Sequence, residues 1–322
     1  MDYAEHREIG RLLDEAEGEG RCAYVAGKAR SQALRRHIKF GEIVEPKPLC
    51  FARTSWWRDL DGATRHLAIV RTVAHVREGC VFCRESAAVA YGLSLSYVNL
   101  QEIHLATSRK SHSRDSKLAC CHVVEGDGLH DVGGLVVTSP ERTVFDCTRY
   151  EQFPDALAVV DSALRRRVIE RSSYQEYIDA HRRFPGTWRA QRALDFADPR
   201  AENGGESVAR GVMIELGFEI PELQIDFVDE LSGKKIRPDF LWTLDGGSKI
   251  AGELDGDQKY ENPIYMGGRD VTRVLTDERK RESRLTIKVG SVCRFSLRDV
   301  YDRAGFERLL DEFGVPRVIR ES

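Results

Sequence analysis

The chain of 322 residues carries 49 Lys and Arg against 52 Asp and Glu, a net charge of −3, and 41% of its residues are hydrophobic. These values describe a globular protein; they exclude a disordered or fibrous chain and a protein that coats nucleic acid by bulk charge, but leave a local basic face open. No apolar run approaches the roughly 18–20 residues that span a bilayer, and the first residues show no basic leader followed by an apolar stretch. We therefore expect a cytoplasmic protein of two or three domains with no membrane contact.

The eight cysteines are the first candidates for a special role, because Cys80 and Cys83 form a CxxC pair. A structural zinc site needs four ligands, usually in two spaced pairs. The next cysteines, Cys120 and Cys121, are adjacent, which is poor geometry for two ligands of one ion. Reduced thiols in the core and in strands are the favoured interpretation, with a zinc site as the alternative.

Residues 1–60 are predicted to form a winged helix-turn-helix. Helices are indicated over 4–18 and 28–40, and the Pro-containing segment 42–53 predicts a two-stranded wing. The second helix holds basic side chains and no acid, a composition that suits phosphate contacts. Its candidate DNA-binding residues are Lys28, Arg30, Arg35, Arg36 and Lys39. The alternative is a solvated helix face without a partner.

Residues 61–200 are predicted to form a middle α/β domain that is helical towards its end. A strand-like run begins at Gly134, and Ser139 followed by Pro140 marks the start of a helix. Arginines between 165 and 192 would give this region a basic surface for nucleic acid. The sequence does not assign a function to this domain.

Residues 201–322 are predicted to form a third domain, because the pattern changes there to an αβββαβ order with one further helix. The first helix and the three strands are expected over 206–217, 223–229, 235–242 and 249–255. The later helix, strand and helix are expected over 269–289, 291–297 and 299–313.

Four acids occupy informative positions in this third domain. Glu206 begins the first helix, and Asp239 is expected within the second strand. Glu253 and Asp255 project to one side of the third strand, because residues i and i+2 share a face. Acids crowded on neighbouring strands repel one another, and a hard divalent cation with oxygen ligands compensates for that repulsion. Arg294, in an apolar strand, is expected to pair with one of these acids.

These acids stand in a pattern that resembles the PD-(D/E)XK nuclease motif. Arg237-Pro238-Asp239 is followed on the adjacent strand by Glu253-Leu254-Asp255. The resemblance extends to Gly205-Glu206-Ser207-x-x-Arg210, to Gly256-x-x-Lys259-Tyr260 and to Glu278-x-x-Arg281. In these motifs, residues 201–322 are similar to the small endonuclease-like domains related to very-short-patch-repair endonucleases.

The N-terminal part resembles a different family, the winged-helix and following domain of AbiEi-type antitoxins. This resemblance is carried by Gly41 with its wing, by Ser86-Ala-Ala-x-x-x-Gly92 and by Thr138-Ser-Pro-x-Arg142-Thr-x-x-Asp146. Together the two resemblances span nearly the whole chain.

The nuclease resemblance implies a restriction-endonuclease-like core that hydrolyses DNA phosphodiester bonds with Mg²⁺ or Mn²⁺. It makes Asp239, Glu253 and Asp255 the expected metal ligands. The expected catalytic set is Glu206, Asp239, Glu253, Asp255 and Lys259. Asp255 stands where the motif has Lys, so Lys259 would supply the positive charge. Lys280 and Arg281 would contact phosphates beside the cleft.

Two alternatives remain open from the sequence. The first is a non-catalytic DNA-binding regulator or antitoxin whose nuclease fold is degenerate. The second concerns the substrate: the motif does not separate DNA from RNA, so RNA is an alternative.

Overall fold

A computed structural model describes residues 3–96, 99–108, 118–230, 233, 235–255 and 283–318. Helices and strands occur in both of its compact units, so the predicted mixed α/β class is confirmed. The first unit comprises Met1–Glu151 and Arg166–Gln191, and the second comprises Gln152–Arg165 and Arg192–Ser322. The division into three domains at residues 60 and 200 stays a prediction. Within the described ranges, no helix is both long and apolar enough to cross a bilayer.

The first unit begins with two helices and a small antiparallel sheet; the two helices and the two strands of the hairpin were predicted, whereas the additional strand β1 was not. The strand order in this sheet is β1-β3-β2, and its hydrophobic core includes Leu34 of the second helix and Phe51 of the third strand. The elements are α1 (Tyr3–Gly18), β1 (Ala23–Tyr24), α2 (Lys28–Ile38), β2 (Ile43–Lys47) and β3 (Cys50–Arg53).

The rest of the first unit contains a five-stranded mixed sheet of order β6-β5-β4-β8-β7 with helices around it. The predicted helix start at Ser139 is confirmed, because the Ser139 hydroxyl accepts a hydrogen bond from the Arg142 backbone N–H (3.3 Å). The helices are α3 (Thr54–Asp59), α4 (Gly62–Val76), α5 (Arg84–Ala90), α6 (Pro140–Thr148) and α8 (Arg171–Ala180). The strands are β4 (Val81–Phe82), β5 (His104–Thr107), β6 (Cys120–Val123), β7 (Leu129–Val132) and β8 (Leu135–Thr138). Helix α9 (Thr187–Asp195) begins in the first unit and ends in the second.

The second unit is built on a four-stranded sheet of order β14-β13-β12-β9. Strands β9, β12 and β13 are antiparallel neighbours, whereas β13 and β14 run parallel. Residues 283–289 are helical and lead into β14. The helices are α7 (Phe153–Arg165), α10 (Gly204–Glu215), α11 (Leu297–Tyr301) and α12 (Arg303–Glu312). The strands are β9 (Glu222–Leu223), β10 (Phe227–Val228), β11 (Lys235–Ile236), β12 (Phe240–Thr243), β13 (Lys249–Asp255) and β14 (Gly290–Ser296).

The expected strands 223–229 and 235–242 were each predicted as continuous, and this was wrong. Each is interrupted, and β10 pairs with β11 in a separate two-stranded ribbon. Gln224 has a left-handed backbone (φ 58°) that ends β9, and Pro238 lacks the N–H that a ladder requires between β11 and β12. Asp239 consequently lies one residue before β12 rather than inside a strand.

Both faces of the four-stranded sheet are covered by apolar side chains. On one face, Phe240 and Ile250 belong to the same core as Met213 of α10. On the other face, Leu241 and Ala251 pack in a cluster with the helical residues 283–289. Glu253 and Asp255 of β13 lie on this same face, so the apolar cluster borders the candidate site.

Helices α7 and α10 approach each other closely in the second unit. A Cβ atom built on Gly211 would lie 2.7 Å from the Cα of Pro154, a distance that real side chains do not reach. Glycine at this position therefore permits the crossing that brings the start of α10 to the sheet.

Candidate active site

Three charged residues of the second unit lie side by side on β13, on β14 and directly before β12. Phe240 pairs with Gly252 in the antiparallel ladder, and this register places Asp239 opposite Glu253. In the parallel ladder, Glu253 is the direct partner of Arg294 on β14. The predicted common face of Glu253 and Asp255 follows from the same alternation. The fold therefore places Asp239, Glu253 and Arg294 next to one another at one end of the sheet.

The carboxylate of Asp239 is held against the backbone of β13. Its Oδ2 accepts a hydrogen bond from the backbone N–H of Leu254 (2.9 Å), the residue between the two acids of β13. Glu253 itself is buried, with 6% of its surface exposed. Asp239, which is half-buried, is therefore anchored to β13, and Glu253 beside it is shielded from water.

Glu206 lies at the first turn of α10, where the sequence placed it, and is 3% exposed. Its Oε1 accepts from the Asn203 side-chain amide (2.5 Å), and its Oε2 accepts from the Glu202 backbone N–H (2.7 Å). The Gln224 side-chain amide also donates to Oε2 (3.1 Å). Sequence reasoning missed Asn203 and Gln224. Asn203 is an N-cap residue three positions before Glu206, which is a recognisable signal, whereas the left-handed backbone of Gln224 is not.

Burial raises the pKa of Glu206 from its ordinary value of 4.5 to about 7, and the charges of Asp239 and Glu202 add to this rise. The hydrogen bonds from the Glu202 backbone and from Gln224 favour the ionised form but do not offset the burial. Glu206 therefore gains or loses its proton near neutral pH. A carboxyl group with this property is suited to general acid–base chemistry.

We expect the free energy of unfolding to depend on pH through Glu206. Because its folded pKa lies above the unfolded one, its contribution is complete below pH 4.5 and is lost as the pH rises through about 7. Relative to Glu206→Gln, the wild type should lose about 3 kcal/mol between pH 4.5 and 8.5. Urea unfolding of both proteins in EDTA measures this difference. Parallel pH profiles for the two proteins would contradict the assignment.

Arg294 pairs with a site acid, as expected from its place in an apolar strand. Its Nη2 donates to Oδ1 of Asp255, and its Nε donates to Oδ2 of the same carboxylate (3.2 Å). The Nη1 atom lies 3.9 Å from Oε2 of Glu253. Both oxygens of Asp255 are therefore engaged by one guanidinium, which also brings a positive charge beside Glu253.

Three residues of the predicted sites lie outside the described part of the chain. They are Lys259, Lys280 and Arg281. Among the residues that the structure describes, the cation paired with the acids of β13 is Arg294 on the neighbouring strand β14.

A divalent cation at this site would have to take oxygen ligands from its acids. Among the described residues, no three or more His, Cys, Asp or Glu side chains are grouped to hold a metal ion, and all eight cysteines are free thiols. Mg²⁺ is commonly bound by one or two carboxylates, with water completing its shell. The aligned oxygen donors of Asp239 and Glu253 fit that mode.

The basic side chains on α2 and at its C-terminal end differ in whether they are already paired with an acid. Lys28, Arg36 and Lys39 are exposed. Arg35, although exposed, donates two hydrogen bonds to Glu45 on β2 (2.7 and 2.5 Å). Arg30 lies 3.0 Å from a carboxylate oxygen of Glu8 on α1. The helix itself contains no acid, as predicted, but the fold brings two acids to it from neighbouring elements.

The motif that runs from Thr138 to Asp146 holds α6 in place. Asp146 is 2% exposed and accepts hydrogen bonds from Arg142 (2.5 Å) and Arg149 (2.9 Å) on the same helical segment. The hydroxyls of Thr138 and Thr143 lie 2.8 Å apart and join β8 to α6. These contacts give the motif a structural role.

The fold and site together define a mixed α/β protein with a buried acidic site at the edge of a sheet. No family model matches the chain, and no solved structure matches it. The uncharacterized proteins MT2308 and Rv2248, from two strains of Mycobacterium tuberculosis, are each 31% identical to it over 223 residues. The match covers 65% of this chain and 79% of each relative. The chain belongs to the same family as these mycobacterial proteins.

Proposed function

We propose that the protein is a metal-dependent endonuclease that hydrolyses DNA phosphodiester bonds. The observation that carries the proposal is the alignment of Asp239 with Glu253 on adjacent strands, with Glu206 close enough to Asp239 for that charge to raise its pKa. Acids on neighbouring segments, with Glu206 and Glu253 buried, are costly unless a cation or a proton compensates their charge. A divalent cation compensates them and gives the arrangement a chemical use.

The order of elements supports a restriction-endonuclease-like core. Helix α10 is followed by the antiparallel strands β9, β12 and β13, then by helical residues 283–289 and by β14, which is parallel to β13. This is the αβββαβ order that the resemblance to PD-(D/E)XK nucleases implies. The two-stranded ribbon of β10 and β11 is an insertion within that order.

In this proposal, Asp239 and Glu253 hold Mg²⁺ or Mn²⁺. When bound, the cation polarises the phosphoryl oxygen and lowers the pKa of a coordinated water. Glu206 exchanges a proton at its carboxyl group near neutral pH, which suits it to accept the proton of the attacking water. Arg294 supplies the positive charge that the motif assigns to Lys, and Asp255 orients that guanidinium rather than acting as a third ligand.

The first unit supplies the proposed contacts to DNA. Helix α2 follows α1, and the β2–β3 hairpin follows α2, which is the order of elements in a winged helix-turn-helix. Its exposed cations Lys28, Arg36 and Lys39 are suited to phosphate groups. Arg30 and Arg35 would first have to leave their carboxylate partners.

A specific observation favours the alternative of a non-catalytic DNA-binding regulator. Arg294 neutralises Asp255, and in the described ranges no larger group of acids surrounds Asp239 and Glu253. A degenerate nuclease fold that binds DNA without cleaving it would show the same arrangement. Metal-dependent cleavage is what separates the two functions.

Incubation of the protein with supercoiled plasmid and Mg²⁺ or Mn²⁺ tests the proposal. We expect nicked and linear products that EDTA suppresses. A gel shift with a DNA duplex and a parallel RNA substrate measure binding and substrate class in the same experiment. A wild type that shifts the duplex but cleaves nothing with either metal would overturn the endonuclease proposal in favour of the regulator.

A further inference from the structure

Three exposed aromatic rings of the first unit lie beside arginines that are buried or half-buried. Tyr150, Phe184 and Trp188 are 48%, 38% and 63% exposed. The guanidinium of Arg149 lies 4.2 Å from the ring of Tyr150 and 5.5 Å from that of Phe184. Arg189 donates a hydrogen bond to the Tyr150 carbonyl (3.2 Å) and lies 5.2 Å from the ring of Trp188. We call these residues, together with Arg84, the aromatic–arginine patch.

The aromatic–arginine patch carries an excess of positive charge. The guanidinium of Arg84 lies 4.7 Å from the ring of Tyr150. Neither Arg84 nor Arg189 forms an ion pair with any residue that the structure describes. Arg149 has a carboxylate partner, but that partner, Asp146, is buried and shared with Arg142. The patch therefore presents Arg84 and Arg189, neither ion-paired with a described residue, beside exposed rings.

These features distinguish possible ligands of the patch. An indole that is 63% exposed offers a face to an unpaired nucleobase, and such stacking tolerates any sequence because every base has a π-face. Guanidinium groups bind phosphate oxygens in a bidentate manner. In a duplex the bases stack on one another, so their faces do not reach an aromatic side chain. An acidic polypeptide would use the arginines but would leave the indole without a stacking partner.

We propose that the aromatic–arginine patch binds single-stranded nucleic acid. An unpaired base stacks on Trp188, and Arg84 and Arg189 contact the flanking phosphates, with the ring of Tyr150 holding the Arg84 guanidinium in position. This inference goes beyond the proposed endonuclease, because it needs neither a divalent cation nor the acids of the second unit. It gives the otherwise unassigned middle region a function in holding an unpaired strand.

Fluorescence anisotropy of a dye-labelled thymidine oligonucleotide titrated with the full chain in EDTA provides the test, because this readout works equally in variants that lack Trp188. We expect saturable binding by the wild type, with quenching of the emission of Trp188, the most exposed of the four tryptophans. Trp188→Ala should weaken binding about tenfold, whereas Trp188→Phe, which keeps a ring, should stay within about threefold. Arg189→Gln should also weaken binding. Tyr301→Ala removes a similarly exposed ring (64%) from the second unit and should change nothing.

Several results would overturn the inference. Equal oligonucleotide affinity of wild type and Trp188→Ala would show that no base stacks on this ring. Equal affinity for a duplex of the same length would show that the patch binds nucleic acid through charge alone, without stacking on a base. Competition by poly-glutamate at equal charge would indicate an acidic polypeptide partner. Because all binding is measured without metal, none of these results bears on cleavage by the second unit.

Discussion

Replacing Asp161 with Ala is expected to lower the free energy of unfolding of the second unit by about 3–5 kcal/mol. Asp161 lies on α7 with none of its surface exposed, and its Oδ2 accepts a hydrogen bond from Nη2 of Arg210 on α10 (2.7 Å). Its Oδ1 accepts from the backbone N–H of Asp198 (2.7 Å). The substitution therefore leaves the guanidinium of Arg210, itself 2% exposed, buried without its counter-charge.

Urea unfolding of wild type and Asp161→Ala measures this effect. The matched control is Asp179→Ala, which breaks an exposed pair with Arg182 and should leave the midpoint of urea unfolding close to that of the wild type. The double substitution Asp161→Leu with Arg210→Met removes both charges and should recover most of the lost stability. A stability of Asp161→Ala within about 1 kcal/mol of wild type would show that this ion pair does not hold α7 to α10.

Asp239→Asn is expected to reduce the rate of plasmid nicking about a thousandfold while duplex binding is retained. Asparagine keeps the shape of the side chain, and its oxygen still accepts from the Leu254 N–H, but it removes the charge opposite Glu253. Loss of metal-assisted stabilisation worth several kcal/mol corresponds to a change of that size. Glu253→Gln should behave in the same way.

Initial rates of nicking and a gel shift measured on the same preparations test this prediction. Glu222→Gln serves as the control, because Glu222 is an exposed acid on β9 of the same sheet. It should cleave at the wild-type rate. Cleavage by Asp239→Asn at an undiminished rate would place the reaction elsewhere in the protein or in a contaminant.

The local parts of the fold were predictable because they depend on short-range patterns. Helix α2, the β2–β3 hairpin and the Ser139 cap follow from periodicity, turn residues and capping preferences. The common face of Glu253 and Asp255 follows from the alternation of a strand. In each case the relevant residues lie within a few positions of one another.

Other features of the structure depend on residues that are far apart in the sequence and could not be predicted from it. Glu45 pairs with Arg35, and Glu8 with Arg30, so the charge available on α2 is smaller than the segment alone suggests. Gln224 donates a hydrogen bond to Glu206 from a left-handed backbone conformation. A glutamine in the sequence does not predict that conformation.

The cation beside the acids was predictable in part. The sequence indicated that Arg294 pairs with one of the site acids but not with which one, and Lys259, to which the nuclease resemblance assigned the positive charge, lies outside the described residues. The parallel register of β13 and β14 brings Arg294 to Glu253 and Asp255. A cross-strand register of this kind is set by packing over the whole sheet, so a single sequence indicates only that Arg294 needs a partner.

The central claim is that Asp239 and Glu253 hold a divalent cation, and calorimetric titration of Mn²⁺ into the full protein at pH 8 tests it most directly. We predict saturable binding of a single ion by the wild type and by Glu222→Gln, and loss of that binding in Asp239→Asn and in Glu253→Gln. Unchanged binding heats in both acid variants, or none in the wild type, would contradict the account.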